Sequence, residues 1–184
     1  MPNYRRLYVP GGTWFFTVNL ADRSSRLLVE KIENLTTAVR LVKRRRPFEI
    51  DAWVVLPDHM HAIWTLPHGD SDFPARWRDI KAEFSRSMPE AGLRTTSEAR
   101  RGEKGIWQRR YWEHLIGDER DFDHHIDYFW FNPVKHQLVA RVEDWPFSTF
   151  HRDMRGVPEP GDLGQVLVDY ARRHRIAGYG ERNP

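Results

Sequence analysis

The chain has 184 residues, a net charge of +3 and hydrophobic residues at 40%, enough for one sizeable domain with its own core. It has no cysteine, which excludes a disulfide framework and a thiolate metal centre, and its eight Trp and 13% aromatic content exclude a disordered chain. No apolar run approaches the roughly 18–20 residues needed to span a bilayer, and Met1-Pro2-Asn3-Tyr4-Arg5-Arg6 has no apolar stretch behind it, so the expectation is a cytoplasmic protein without a secretory signal.

The pI of about 9.3 leans toward a polyanionic partner. The basic residues cluster as Lys43-Arg44-Arg45-Arg46, as Arg94, Arg100, Arg101, Lys104, Arg109 and Arg110, and as Arg172-Arg173-His174-Arg175. One such cluster is usually a solvated face; three interleaved with Trp and Tyr favour nucleic acid.

In chain order, Tyr4 to Val9 reads as extended, and Gly11-Gly12 as a turn. Thr13 to Leu20 is aromatic and β-branched and predicts the first strand. Ile32, Leu35, Ala38, Val39 and Val42 recur at helical spacing between about Glu30 and Arg45, with basic residues at the C-terminal end and Pro47 as the stop. Phe48 to Leu56 predicts a second strand, with Ile50, Ala52 and Val54 on one face. Pro57-Asp58 is a tight turn into a third strand, His59 to Leu66, so the two form an antiparallel hairpin. Trp77, Ile80, Lys81 and Phe84 share one face of a helix from about Pro74 to Met88. Pro89 to Gly105 is polar and charged. Ile106 to Ile116 predicts a fourth strand and Glu119 to about Phe131 a helix with Phe122, Ile126 and Phe129 as its apolar stripe; Pro133 lies just beyond. Trp145-Pro146-Phe147-Ser148 reads as an aromatic clamp, and a last helical stretch covers Leu163 to Arg175. The order β-α-β-β-α-β followed by a helix predicts an α+β fold of ferredoxin-like split βαβ type: an antiparallel sheet with helices on one face and a further helix after the last core strand. That fold hosts many functions.

Two features carry chemistry. His59 and His61 flank one residue on a strand, so both side chains point the same way, about 6–7 Å apart. Met60 points to the opposite face, with Val54 and Ala62. Alone, the pair is more simply read as two polar side chains on a half-exposed strand. The second feature is Asp127 to His136, in which Tyr128 and Asn132 are one helical turn apart. Tyr128 reads either as a core-edge residue or as a covalent nucleophile, and a Tyr needs help to act because its ordinary pKa is near 10. Together, two imidazoles and an amide oxygen would suit a divalent ion that keeps positions open for phosphate and water.

His59-Met60-His61 with Tyr128 on a late helix resembles the HUH single-tyrosine transposases. Five segments narrow the resemblance to the REP-associated tyrosine transposases: residues 11–20 (GGTWFFTVNL), 53–61 (WVVLPDHMH), 107–114 (WQRRYWEH), 127–136 (DYFWFNPVKH) and 145–152 (WPFSTFHR). The resemblance implies a transposase domain over residues 1–152, cutting single-stranded DNA at palindromic repeats that fold into hairpins. It implies that His59 and His61 bind Mg²⁺ or Mn²⁺ and that Tyr128 is the nucleophile, linked to a 5′-phosphate while a 3′-OH is freed. Asn132 would be the third ligand, at a point where insertion-sequence relatives often have Gln.

Arg109, Arg110 and Tyr111, with Trp107 and Trp112, offer a surface for stacking unpaired bases and gripping phosphates; strand alternation makes about half of them packing residues. Arg5 and Arg6 are candidates for reading a single-stranded guide beside the hairpin; Lys135 and His136 read either as phosphate contacts or as a solvated helix end. His124 and His125 read as structural. Residues 153–184 form a tail outside the resemblance, left with two roles: DNA contact or cover of the site. A monomer is expected. The rival reading is a domesticated, non-catalytic binder of the same hairpins.

Overall fold

The computed structural model describes residues 7–89 and 104–154. Expectations for Arg5, Arg6, most of Pro89–Gly105 and the stretch from residue 155 onward lie outside the described residues. The strands are β1 (Thr13–Asn19), β2 (Glu49–Val55), β3 (His59–Thr65) and β4 (Trp112–Leu115). The main helices are α1 (Leu27–Glu30), α2 (Ile32–Arg45), α3 (Phe73–Arg86) and α4 (Glu119–Lys135). The sheet order is β2-β3-β1-β4, with every neighbouring pair antiparallel. This is the α+β, split βαβ arrangement.

The sheet buries both faces. On one, Trp14, Phe16, Met60, Ala62 and Trp64 meet Leu35, Ala38 and Val42 of α2 and Trp77, Ile80 and Phe84 of α3. Trp64 and Trp77 stack there at 4.1 Å between ring centroids. On the other, Phe15, Ala52, Val54 and Ile63 meet Phe129 of α4 and Trp145. Two helices therefore cover the first face, and the helix after the last core strand takes the second.

Three local features depart from simple periodicity. First, the β2–β3 register shifts between Ile50 and Ala52. Ile50 stands opposite Trp64, but Ala52 stands opposite Ile63 and Val54 opposite His61. The inserted Asp51 is a β-bulge, and Thr65 Oγ1 donates to its Oδ2 at 2.8 Å. Ile50, Ala52 and Val54 thus do not share a face, and Val54 lies with His61 rather than with Met60. Second, the last strand is shorter than Ile106 to Ile116. Ile106 and Gln108 pair with Ala21 and Asn19 through backbone bonds of 2.9 and 3.0 Å, and the regular strand resumes only at Trp112. Third, α4 runs through Pro133 to Lys135 instead of ending near Phe131. Asn132 and Pro133 are buried, so packing holds the last turn despite the missing proline N–H.

The Trp145 segment is the expected clamp. Phe147 O accepts from Val55 N at 2.9 Å, Trp53 O accepts from Thr149 N at 2.8 Å, and Trp145 Nε1 donates to Val55 O at 3.0 Å. It covers the outer edge of β2, which would otherwise be free to pair with another chain. The basic cluster at the end of α2 is largely spent on ion pairs: Lys43–Glu49 at 3.1 Å, Arg45–Glu83 at 2.8 Å and Arg46–Asp79 at 3.1 Å.

A buried arginine ties α3 to the turn before it. Arg76 is 1% exposed; its guanidinium donates to both carboxylate oxygens of Asp70 at 3.1 and 2.6 Å, and to the carbonyls of Asp72 and Pro47 at 3.0 and 2.6 Å. The Arg76 hydrogen bond holds the Asp70 carboxyl below its ordinary range, against a smaller opposing effect of burial. A depressed carboxyl stabilises the fold above its unfolded pKa of about 4, and that contribution is lost as pH falls further. Arg76→Ala is expected to cost on the order of 3 kcal/mol at pH 7 and less at pH 3. Urea unfolding at both pH values checks this; an equal loss at both would contradict it.

Candidate active site

The register of β1 on β3 sets Thr17 opposite His61 and Asn19 opposite His59. Cross-strand partners share a face, so all four side chains point toward α4. His59 and His61 are each 3% exposed. Their ring centroids are 5.1 Å apart and the rings nearly perpendicular, at 84°.

Each imidazole is oriented by a second residue. His59 Nδ1 lies 2.8 Å from Asp58 Oδ1, and Arg23 Nε donates to Asp58 Oδ2 at 2.6 Å. Burial alone would raise the Asp58 pKa; the hydrogen bond and charge of His59, with Arg23, outweigh it and hold the carboxyl at about 2. With Asp58 ionised, a proton on His59 Nδ1 has an acceptor, an arrangement that would leave Nε2 with its lone pair free for a ligand. His61 is bounded on both nitrogens, with Nδ1 2.8 Å from Thr17 Oγ1 and Nε2 3.2 Å from Asn132 Nδ2. Its pKa lies well below the ordinary value, first because it is buried and then because His59, His136, Lys135 and Arg23 add positive charge nearby. A neutral imidazole is the form that binds metal.

Asn132 is 1% exposed, and its Oδ1 is buried without a hydrogen-bond partner. Rotating the carboxamide by 180° exchanges its N and O toward His61. An unpartnered carbonyl oxygen beside two imidazoles is a set of one oxygen and two nitrogens. That set suits a divalent cation such as Mg²⁺ or Mn²⁺ which keeps its remaining positions for other oxygens.

Tyr128 stands beside this set. Its ring centroid is 5.2 Å from that of His61, and Lys135 Nζ lies 5.4 Å from the Tyr128 ring. The structure thus groups His59, His61, Asn132, Tyr128 and Lys135. It does not bring Tyr111 to them. Tyr111 packs on the opposite face, 6.1 Å from the Phe16 and Trp77 rings, with Lys81 Nζ 5.3 Å from its own ring. Burial pushes Lys81 down to about 8, and its ammonium donates to Gln108 O at 2.9 Å. Arg109 and Arg110 are exposed in the bend leading into β4. Arg5 and Arg6 lie outside the described residues.

Sequence reasoning missed several neighbours. Thr17 and Phe15 join the site only through strand register. His136, expected with Lys135 as a phosphate contact or a solvated helix end, stands one turn beyond Asn132 with its ring 5.1 Å from that of His59. His114, Asp121 and His125 form a second cluster: His114 Nε2 lies 2.8 Å and His125 Nδ1 3.1 Å from the Asp121 carboxylate. Their ligand atoms all fall within 4.8 Å of one another. His125 also packs on Phe15 at 4.6 Å, so one of the two histidines read as structural lines the same face.

A buried His-apolar-His strand beneath a tyrosine-bearing helix defines the HUH single-tyrosine class. Comparison with known proteins narrows it. No family model matches the chain. A REP-associated tyrosine transposase of Escherichia coli (strain K12) is 51% identical over 176 residues, covering 96% of this chain and 99% of that protein. A Haemophilus influenzae relative named for the same kind of transposase is 42% identical over 165 residues, covering 89% and 94%. A solved structure of a REP-associated tyrosine transposase bound to a REP hairpin superposes with a TM-score of 0.74 at 54% identity, over 87% of this chain and 89% of that one. The chain belongs to the REP-associated tyrosine transposase family. Among the described residues, no helix is long and apolar enough to cross a membrane.

The depressed His61 pKa has a direct consequence. The unfolded chain takes up this proton near pH 6.5 and the folded chain does not, so folding stability falls as pH drops below that point. Imidazole nitrogen NMR of the metal-free protein should show His61 neutral at pH 6; a midpoint near 6.5 would contradict the burial argument.

Proposed function

We propose that the chain is a metal-dependent single-stranded DNA endonuclease and strand transferase. It acts on REP-type palindromic hairpins through a 5′-phosphotyrosine intermediate. The observation that carries this reading is the convergence of Tyr128 on the buried His59–His61 pair, with the unsatisfied Asn132 oxygen between helix and sheet. A pure hairpin binder has no physical need for a desolvated imidazole pair facing a tyrosine. The solved relative bound to a REP hairpin supports the substrate class.

In this reading His59, His61 and Asn132 hold Mg²⁺ or Mn²⁺. The cation would polarise the scissile phosphodiester and offset charge building on its oxygens. The chain's own residues do the rest. Asp58 and Thr17 fix the two imidazoles in the ligating tautomers. Phe15 and Phe129 hold Tyr128 at the edge of the site, and Lys135 places a positive charge over its ring, which favours the phenolate. The Tyr128 oxygen forms a bond to phosphorus and the P–O3′ bond breaks. The phenol proton passes to solvent, and the departing 3′ oxygen takes one up. Reversal by a 3′-OH rejoins the strand, so cutting and joining need no external energy source. The tyrosine of the same chain lies beside the histidines, so a monomer is sufficient for the site.

Tyr128→Phe should abolish the covalent protein–DNA adduct on a denaturing gel while hairpin binding persists; an adduct formed by that variant would remove Tyr128 from its role. His61→Ala should lower cleavage, with only partial rescue by excess Mn²⁺, and full cleavage in chelator would remove the metal. Asp58→Asn should weaken Mn²⁺ binding by roughly tenfold or more, measured by titration calorimetry.

A further inference from the structure

We propose that Trp112 is a stacking platform for an unpaired base flanking the scissile phosphate. The proposal rests on the DNA-processing reading above and adds a base subsite to it.

Trp112 is 54% exposed, one of the few large apolar side chains left open among the described residues. It lies on the edge strand β4, opposite Thr17, the residue whose hydroxyl meets His61. It therefore faces the same side as the histidines. The Phe15 ring is 5.2 Å from Trp112, 5.6 Å from His61 and 6.2 Å from Tyr128. One ring separates the exposed indole from the ligand pair and the nucleophile.

The indole is also braced. Its ring runs parallel to that of His114, within 2° at 5.8 Å between centroids. His114 is held by the Asp121 carboxylate at 2.8 Å, and that carboxylate also accepts from Gly117 N at 2.9 Å. His114 in turn stacks on His125 at 4.9 Å. The His–Asp–His cluster thus ties β4 to the first turns of α4 and fixes the plane that Trp112 presents. Core packing does not require an indole here, because Phe15 is already covered by Phe129 at 5.3 Å and His125. A fixed, half-open aromatic plane beside a phosphate-processing site fits a nucleobase face, which a single strand offers and a duplex does not. Arg109 and Arg110 are exposed just before the strand.

The test is fluorescence anisotropy in chelator with two labelled probes: a REP hairpin carrying its single-stranded flanks, and the bare hairpin. Trp112→Ala should weaken binding of the flanked probe by about tenfold or more and leave the bare hairpin unchanged. Trp112→Phe, which keeps a ring, should recover most of the loss and guards against misfolding. An abasic site at one flank position should weaken the wild type yet make no difference to Trp112→Ala. Equal affinity of Trp112→Ala and wild type for the flanked probe, or an equal loss on both probes, would overturn the platform while leaving the transposase reading standing. Failure of the wild type to bind either probe would overturn both.

Discussion

The site depends on how one helix closes the second face of the sheet. α2 and α3 cover the first face with a continuous aromatic core. The second face is left to α4 and the Trp145 segment. Phe129 meets Phe15 edge-on at 5.3 Å, and Asn132 is driven under the helix to meet His61 at 3.2 Å. Once those two contacts form, Tyr128 has no choice but to stand at the rim beside His61. Packing sets the position of Tyr128, whose half-buried ring joins the edge of the same cluster. Removing Phe129 would cost core energy and nucleophile placement together.

The same closure sets the electrostatics. Burying His61 under a helix that ends in Lys135 and His136 disfavours its protonation. On the loop side Asp58 and Arg23 supply the opposite arrangement: an ionised carboxylate that orients His59 without entering the site. A buried His61 with lowered basicity and an ionised Asp58 nearer the surface stand only three residues apart on one hairpin.

Much of the fold was legible because strand and helix periods are local properties. The alternation that put His59 and His61 on one face holds, as do the hairpin, the split βαβ order and the stripe Phe122, Ile126 and Phe129 on α4. What failed locally failed for tertiary reasons. A bulge at Asp51 breaks the period of two and moves Val54 to the histidine face. Burial of Asn132 and Pro133 carries α4 past a proline that should stop it, and so brings Lys135 over Tyr128 and His136 to His59. Tyr111 and Trp112 differ by one position in an aromatic-basic run, and only the register of β4 on β1 decides which is core and which faces the site. Cross-strand neighbours such as Thr17, forty-four residues from His61, leave no periodic trace at all.

The central claim is that Tyr128, His59 and His61 act as one site on a single strand. Its most direct test is to incubate the protein with Mn²⁺ and a REP hairpin bearing single-stranded flanks, digest the product, and locate the modified peptide by mass spectrometry. The account predicts one nucleotide-bearing peptide, spanning Asp127 to His136, with the phosphate on Tyr128. Modification of a different tyrosine, or cleaved DNA with no modified peptide, would contradict it.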